Sequence, residues 1–350
     1  MAATWINGRR WDLTWLIGSA AVVPLGVLLV WAGASGDALN LTVTALVGGP
    51  HLFSTYITTY LDPRFRRAHG PALAAITMVV PAFVIWMGLH HFQGLMSFFV
   101  LWASLHVLQQ NAYLTDVYRR RAGDRDPAWS RFLDYAVLFL SFYPMASYKI
   151  VHDDFMVGGV KILMPAVFKN ELTPWTISIL FAATLVAWLT KTVLEQRHGS
   201  MNVPKTLLIA VTSTLAFLIP CAEKGERLEL AFQTVNAWHS IQYLAVIWLV
   251  LAVRTRRGQT ESPIVRKISG PGRAVWAFYG LCLFFTVAHL AGVFTVIRWD
   301  PLGVSMAQYY YMGVLSVLFI HYSLDTYLFF AAGREEARPD TIPLVAPSQG

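Results

Sequence analysis

A chain of 350 residues that is 56% apolar and only 13% charged lies outside the usual range of soluble domains, which are about 45–50% apolar and about 25% charged. Its ionisable residues collect in short stretches between long apolar runs, which excludes a large soluble core and points to an all-α, polytopic integral membrane helix bundle. The formal net charge of +7 is carried by the loops and reads as a topology signal, so no nucleic-acid partner is implied.

A membrane span needs roughly 20 apolar residues to cross about 30 Å of hydrocarbon. Ten such runs follow in chain order, at about 14–33, 40–61, 72–91, 95–117, 132–150, 173–194, 204–221, 229–252, 274–297 and 306–331. The first has a basic start, with Arg9 and Arg10, and an Ala-Gly-Ala-Ser end, but its apolar run is longer than a signal-peptide core and it is read as a retained helix. The longest loops are 118–131, 151–172 and 253–273. Within the second, Met156–Phe168 is apolar apart from Lys161, and a short interfacial or re-entrant helix is expected there. Residues 1–333 form one transmembrane domain in this reading, and 334–350, with three prolines and mixed charge, form a poorly ordered cytoplasmic tail.

Orientation follows from Lys and Arg. With the N-terminus in the cytoplasm, the segments around Arg64–Arg67, Arg119–Arg121, Arg254–Arg257 and Arg266-Lys267 are all cytoplasmic. Of the 27 Lys and Arg residues, only Lys149, Lys161, Lys169, Lys224, Arg227 and Arg298 then lie outside. That asymmetry is the positive-inside pattern, and it places both termini in the cytoplasm of a multi-pass protein of the cell inner (plasma) membrane. The basic loops would also meet anionic lipid head groups. Two isolated cysteines, Cys221 and Cys282, make neither a disulfide framework nor a thiolate metal motif.

Chemistry is concentrated in the ten histidines. His69 and His198 fall in loops. His90 and His91 read as a water-facing helix end, and His152 as a loop residue. His51, His106, His239, His289 and His321 fall inside expected spans, where an ionisable group is costly. His289 alone reads as an interhelical hydrogen-bond partner. His51 and His106 sit roughly 16 Å from the outer ends of their helices, at 1.5 Å per residue, and His239 is at similar depth. His321 is roughly 22 Å in by the same rule. These four spans run in the same direction, so their histidines can converge.

Each also heads a polar stripe. Thr55 follows His51 by four, Gln110 follows His106 by four, and Tyr243 follows His239 by four. Asp325 follows His321 by four and so shares its helix face. His51, His106, His239 and His321 are therefore candidate metal ligands, and Asp325 and Tyr243 candidate catalytic groups. Asp325 lies about one turn, roughly 6 Å, deeper than His321, which favours orienting a liganding imidazole over binding the ion itself. Imidazoles without thiolates suit iron, copper or zinc, and a carboxylate nearby favours non-haem iron (Fe2+) with dioxygen as co-substrate. The alternatives are a haem-binding membrane protein and a proton-coupled transporter using the same histidines.

Four short windows carry a family resemblance. They are Gly48-Gly49-Pro50-His51, Ser104-Leu105-His106, Trp238-His239-Ser240-Ile241-Gln242-Tyr243, and His321-Tyr322-Ser323-Leu324-Asp325. In this order they resemble the motifs of the bacterial carotene-cleaving membrane dioxygenases related to the bacteriorhodopsin-related protein. The resemblance implies a non-haem iron held by His51, His106, His239 and His321, and a lipid-soluble substrate such as a carotenoid, isoprenoid or lipid. The chain departs from the family pattern at Tyr243, where the family has a second His. It also lacks the Asp that follows Pro-His, has one residue fewer before Asp325, and has more expected spans.

Overall fold

The computed structural model describes residues 5–123, 126–225, 227–270 and 272–330. The tail expected at 334–350 lies outside them. The described residues are all-α apart from one two-stranded hairpin. In chain order the helices are α1 (Arg9–Trp31), α2 (Gly36–Val43), α3 (Gly49–Thr59), α4 (Pro63–His90), α5 (Phe92–Arg121), α6 (Ala128–Leu140) and α7 (Tyr143–Val151). After the hairpin come α8 (Leu172–Arg197), α9 (Val203–Ala222), α10 (Arg227–Arg256), α11 (Pro263–Ile268), α12 (Ala274–Trp299) and α13 (Met306–Phe330).

Among the described residues seven helices are long and apolar enough to cross a membrane: α1, α4, α5, α8, α9, α10 and α12. Large apolar side chains lie exposed along them, among them Met78, Val79 and Trp86 on α4 and Ile179 and Val186 on α8. Such continuous greasy surface suits lipid and not water. The other three expected spans take different forms. The run at 132–150 is divided between α6 and α7. Pro144, in the first turn of α7, has no N–H to give and its ring crowds the preceding turn, so the helix stops and restarts. The run at 40–61 is interrupted by a π-turn at Thr44–Gly48. α13 is unbroken over 25 residues at the place of the last expected run.

Two further expectations are corrected. Met156–Phe168 forms no single helix. It is an antiparallel hairpin, Met156–Val157 with Val160–Lys161, followed by a 3-10 turn at Ala166–Phe168. Gly158 and Gly159 both have positive φ, 62° and 76°, which a two-residue hairpin turn requires and which side chains resist. The basic segment at 63–71 is not a loop either: α4 begins at Pro63, capped by the Asp62 side chain on the Arg64 N–H, and bends at His69 ahead of Pro71.

The chain forms two compact units. The first comprises residues 1–36 and 96–238, the second 37–95 and 239–350, so the divisions fall within α2, α5 and α10. In the first unit, Ala112, Val137, Leu138, Phe181, Trp188 and Ile209 join α5, α6, α8 and α9 in one core cluster. Beside it lies a buried ionic network that the sequence reading missed. Asp134 on α6 is fully buried and pairs with Lys191 on α8, with Lys205 on α9 at 3.1 Å and with Arg119 on α5 at 3.4 Å. The Trp188 indole N–H also donates to it at 3.0 Å. Asp126 takes the other side of Lys205 and Arg119, at 2.5 and 3.2 Å.

In the second unit, Ile320, Leu324 and Leu328 form a stripe at every fourth residue of α13 and pack on Phe65 and Leu73 of α4. α3 packs closely against α12, and a Cβ at Gly49 would collide with the Thr286 side chain. Small residues permit such approach between helices where lipid offers no hydrophobic drive.

Candidate functional site

The site in the second unit begins with a proline. Pro50 has no N–H, so the carbonyl four residues back, Leu46, loses its helical partner. Two features compensate. The turn before it is widened to a π-turn, in which the Gly49 N–H reaches back to the Thr44 carbonyl. The Tyr279 hydroxyl donates to the Leu46 carbonyl at 2.7 Å. Such irregularity at membrane depth is tolerated where protein re-satisfies the backbone. Immediately after it, α3 carries His51, Ser54, Thr55, Thr58 and Thr59, all buried.

α13 supplies the second wall. Because the Ile320–Leu324–Leu328 stripe is committed to α4, the residues one position on are turned about 100° round the helix. Those residues are His321 and Asp325, which are 0% and 1% exposed. α10 supplies the third wall, with His239, Ser240 and Tyr243 all buried.

These side chains meet. The His51 ring centroid lies 4.4 Å from that of His321 and 4.8 Å from that of His239, edge to face in both cases. His51 Nδ1 is 3.0 Å from Ser240 Oγ. Thr55 Oγ1 is the hub of a network: it is 2.6 Å from the Tyr243 hydroxyl, 2.7 Å from His321 Nδ1 and 3.2 Å from Asp325 Oδ1. The Tyr243 hydroxyl donates to the same Asp325 oxygen at 2.5 Å. The other carboxylate oxygen, Oδ2, stands 3.5 Å from His321 Nε2.

The structure therefore gathers His51, His239, His321, Tyr243 and Asp325 of the expected set. His106 is buried on α5 in the first unit. His289, on α12, packs its ring 6.0 Å from Phe53. The remaining histidines are peripheral in character: His69 packs on Phe65, His90 and His91 lie against Trp86, His152 Nε2 is 3.2 Å from Glu171, and His198 is exposed at the end of α8. Thr55 and Ser240 are the parts whose role the sequence did not reveal. Their i+4 and i+1 spacings from histidines put them in view, but which imidazole each would touch depends on a second helix. The expected role for Asp325, holding a ring nitrogen of a ligand, is filled at His321 Nδ1 by Thr55.

The chain matches no family model, no curated protein and no solved structure.

The arrangement suits a cation. Two donors bound to one ion at about 2.0–2.2 Å lie roughly 3–3.5 Å apart, which is the separation of His321 Nε2 and Asp325 Oδ2. Edge-to-face rings at these distances also occur in plain aromatic packing. A carboxylate oxygen turned toward an imidazole nitrogen in full burial fits either a plain Asp–His pair or two ligands to one ion.

Proposed function

We propose that the chain is an integral-membrane non-haem iron oxygenase acting on a long apolar substrate, a carotenoid, isoprenoid or other lipid. His51, His239 and His321 would hold Fe2+ with an oxygen of Asp325. The observation that carries the reading is the 3.5 Å approach of His321 Nε2 to Asp325 Oδ2, in a fully buried cluster with two further imidazoles beside it. The resemblance of the histidine motifs to the carotene-cleaving dioxygenases supports the same class.

Iron would supply a redox-active Lewis acid for dioxygen. The protein's part is to orient and to exclude. Ser240 holds His51 by Nδ1, and Thr55 holds His321 by Nδ1, so both rings present Nε2. Tyr243 and Thr55 pin one oxygen of Asp325 and leave the other toward His321. Apolar helices keep water out and admit a substrate dissolved in the bilayer. A haem held between two of these imidazoles fits poorly, since edge-to-face rings 4.4 and 4.8 Å apart leave no room for a macrocycle. In this reading the protein is a multi-pass protein of the plasma membrane, with its N-terminus cytoplasmic.

Elemental analysis and an optical spectrum of protein purified in mild detergent test the proposal. Iron near one per chain without a Soret band is expected. Haem as the sole iron, or a protein that takes up no metal, overturns it in favour of an electron carrier or a transporter. Ala substitutions at His51, His239 and His321 should each strip the iron, whereas His69→Ala and His198→Ala should not. His106→Ala belongs in the same series because the sequence motifs include it.

A further inference from the structure

We propose that the turn between the hairpin and α8, residues 163–172, is a rigid membrane anchor in the first unit. Its apolar side chains sit in the head-group and upper acyl region of the bilayer at the N-terminal end of α8. The proposal rests on α8 spanning the bilayer, which a label at Ile179 tests separately. The fold commits the neighbouring side chains inward. Phe155, Val157 and Ile162 are buried, and the Phe155 ring stacks on Phe232 of α10 with centroids 5.2 Å apart. The Leu163 N–H donates to Ser97 Oγ of α5 at 2.8 Å. Past that point the apolar residues turn outward: Leu163, Val167, Phe168 and Leu172 are all exposed, Val167 and Leu172 at 73%.

These side chains are held in place. The Phe168 N–H donates to the Pro165 carbonyl at 2.9 Å. Asn170 ties the turn to α8: its Nδ2 donates to the Val167 carbonyl at 2.9 Å, and its Oδ1 accepts from the N–H of Leu172 at 3.0 Å and of Thr173 at 3.3 Å. Two observations name lipid as the occupant. The apolar surface continues without a break into the exposed face of α8 through Leu172, Trp175 and Ile179. Leu172 and Leu194 are also roughly 33 Å apart along α8 at 1.5 Å per residue, close to the hydrocarbon thickness of about 30 Å, which puts Leu172 at one boundary. Val167 and Phe168 precede it directly. A non-helical backbone exposed to lipid is excluded from the hydrocarbon, so the turn lies at the interface and dips only its side chains. Trp175 suits the same level. Lys169, next to Phe168 and 2.8 Å from Asp153, has a stem that lies along apolar surface while its head stays among phosphates and water.

The test uses the full chain in phosphatidylcholine vesicles, with Cys221→Ser removing the exposed native thiol; Cys282 is buried. Single cysteines replace Val167, Phe168, Ile179 or Ser200, all exposed, and carry an environment-sensitive fluorophore. Because the replaced side chains are exposed, unfolding midpoints in detergent should stay near wild type. Emission from positions 167 and 168 should fall with lipids brominated near the carbonyl end of the acyl chain, fall less with lipids brominated near the chain terminus, and resist iodide present on both sides of the membrane. The Ile179 label should answer to the deeper bromines, and the Ser200 label, in the loop after α8, to iodide. Labels at 167 and 168 quenched by iodide and not by brominated lipid place the turn in water and overturn the proposal. So does shielding from both quenchers, which assigns the patch to a protein surface such as a second copy of the chain. An Ile179 label that no brominated lipid quenches overturns the α8 span and the anchor with it, whereas a lipid-quenched Ile179 beside water-quenched 167 and 168 overturns the anchor alone.

Discussion

Asp325 divides its carboxylate between two tasks: Oδ1 is held by Tyr243 at 2.5 Å, and Oδ2 faces His321 Nε2 at 3.5 Å, one helical turn back on the same helix. Asp325→Asn separates direct binding from support. The amide keeps the shape and one acceptor but cannot supply an anionic donor. Metal affinity should fall to the level of His321→Ala, with the fold retained. A loss of only about 10–100-fold, the size seen when a supporting group is removed, would assign Asp325 the orienting role instead. Titration of Fe2+ into the purified variants decides between them.

Activity follows from the proposed substrate class. Expression in a carotenoid-accumulating host should bleach the pigment and yield an apocarotenal, and His321→Ala should abolish the bleaching. Unchanged pigment in cells that contain iron-loaded protein retires carotenoids as the substrate.

The first unit makes its own prediction. Asp134 is surrounded by Lys191, Lys205 and Arg119, each at most 3% exposed. Removing the acid takes one partner from each buried cation, leaving Lys205 and Arg119 with Asp126 and Lys191 with Glu195, and breaking such a cluster from one side typically costs up to about 3–5 kcal/mol. Asp134→Ala should lower the thermal unfolding midpoint in detergent by many degrees, or prevent accumulation of the protein. A midpoint within a degree or two of wild type would falsify the view that this network ties α5, α6, α8 and α9 together.

Asp126 gives the same network a pH dependence. Burial opposes its ionisation, but Lys205 and Arg119 outweigh that and hold its carboxyl below the ordinary value of 3.8. A group depressed in the folded state stabilises the fold above its unfolded value, and that stability is lost as pH falls through the folded value. Wild type should therefore exceed Asp126→Asn in thermal midpoint at neutral pH. The gap should begin to close below about pH 4, where unfolded aspartate titrates, and vanish in stronger acid. A gap that persists unchanged into acid refutes the ionic account.

Topology is checked with reporter fusions. Fusions after Arg121 and after Gly333 should both read as cytoplasmic, as the distribution of Lys and Arg requires. An external reading at either point breaks the expected orientation.

Much of this protein is written locally. Helical membrane character follows from apolar run length alone, because a backbone in lipid has few ways to satisfy its polar groups. The histidines were conspicuous for the same reason, and the four-residue spacing from His321 to Asp325 placed both on one face before any packing was known. Local pattern also misled where backbone chemistry intervened: Pro144 divides an apolar run that reads as one span, and Gly158-Gly159 turns an apparent helix into a hairpin. What tertiary structure decided is which polar groups meet. Thr55 acquires its role only because α10 and α13 bring Tyr243, His321 and Asp325 to the same side of α3. Asp134 becomes a hub only because three other helices deliver their cations to it. Periodicity gives each side chain a direction from its own axis. The angle and register at which one axis packs on another come from the fit of whole surfaces, which no single helix encodes.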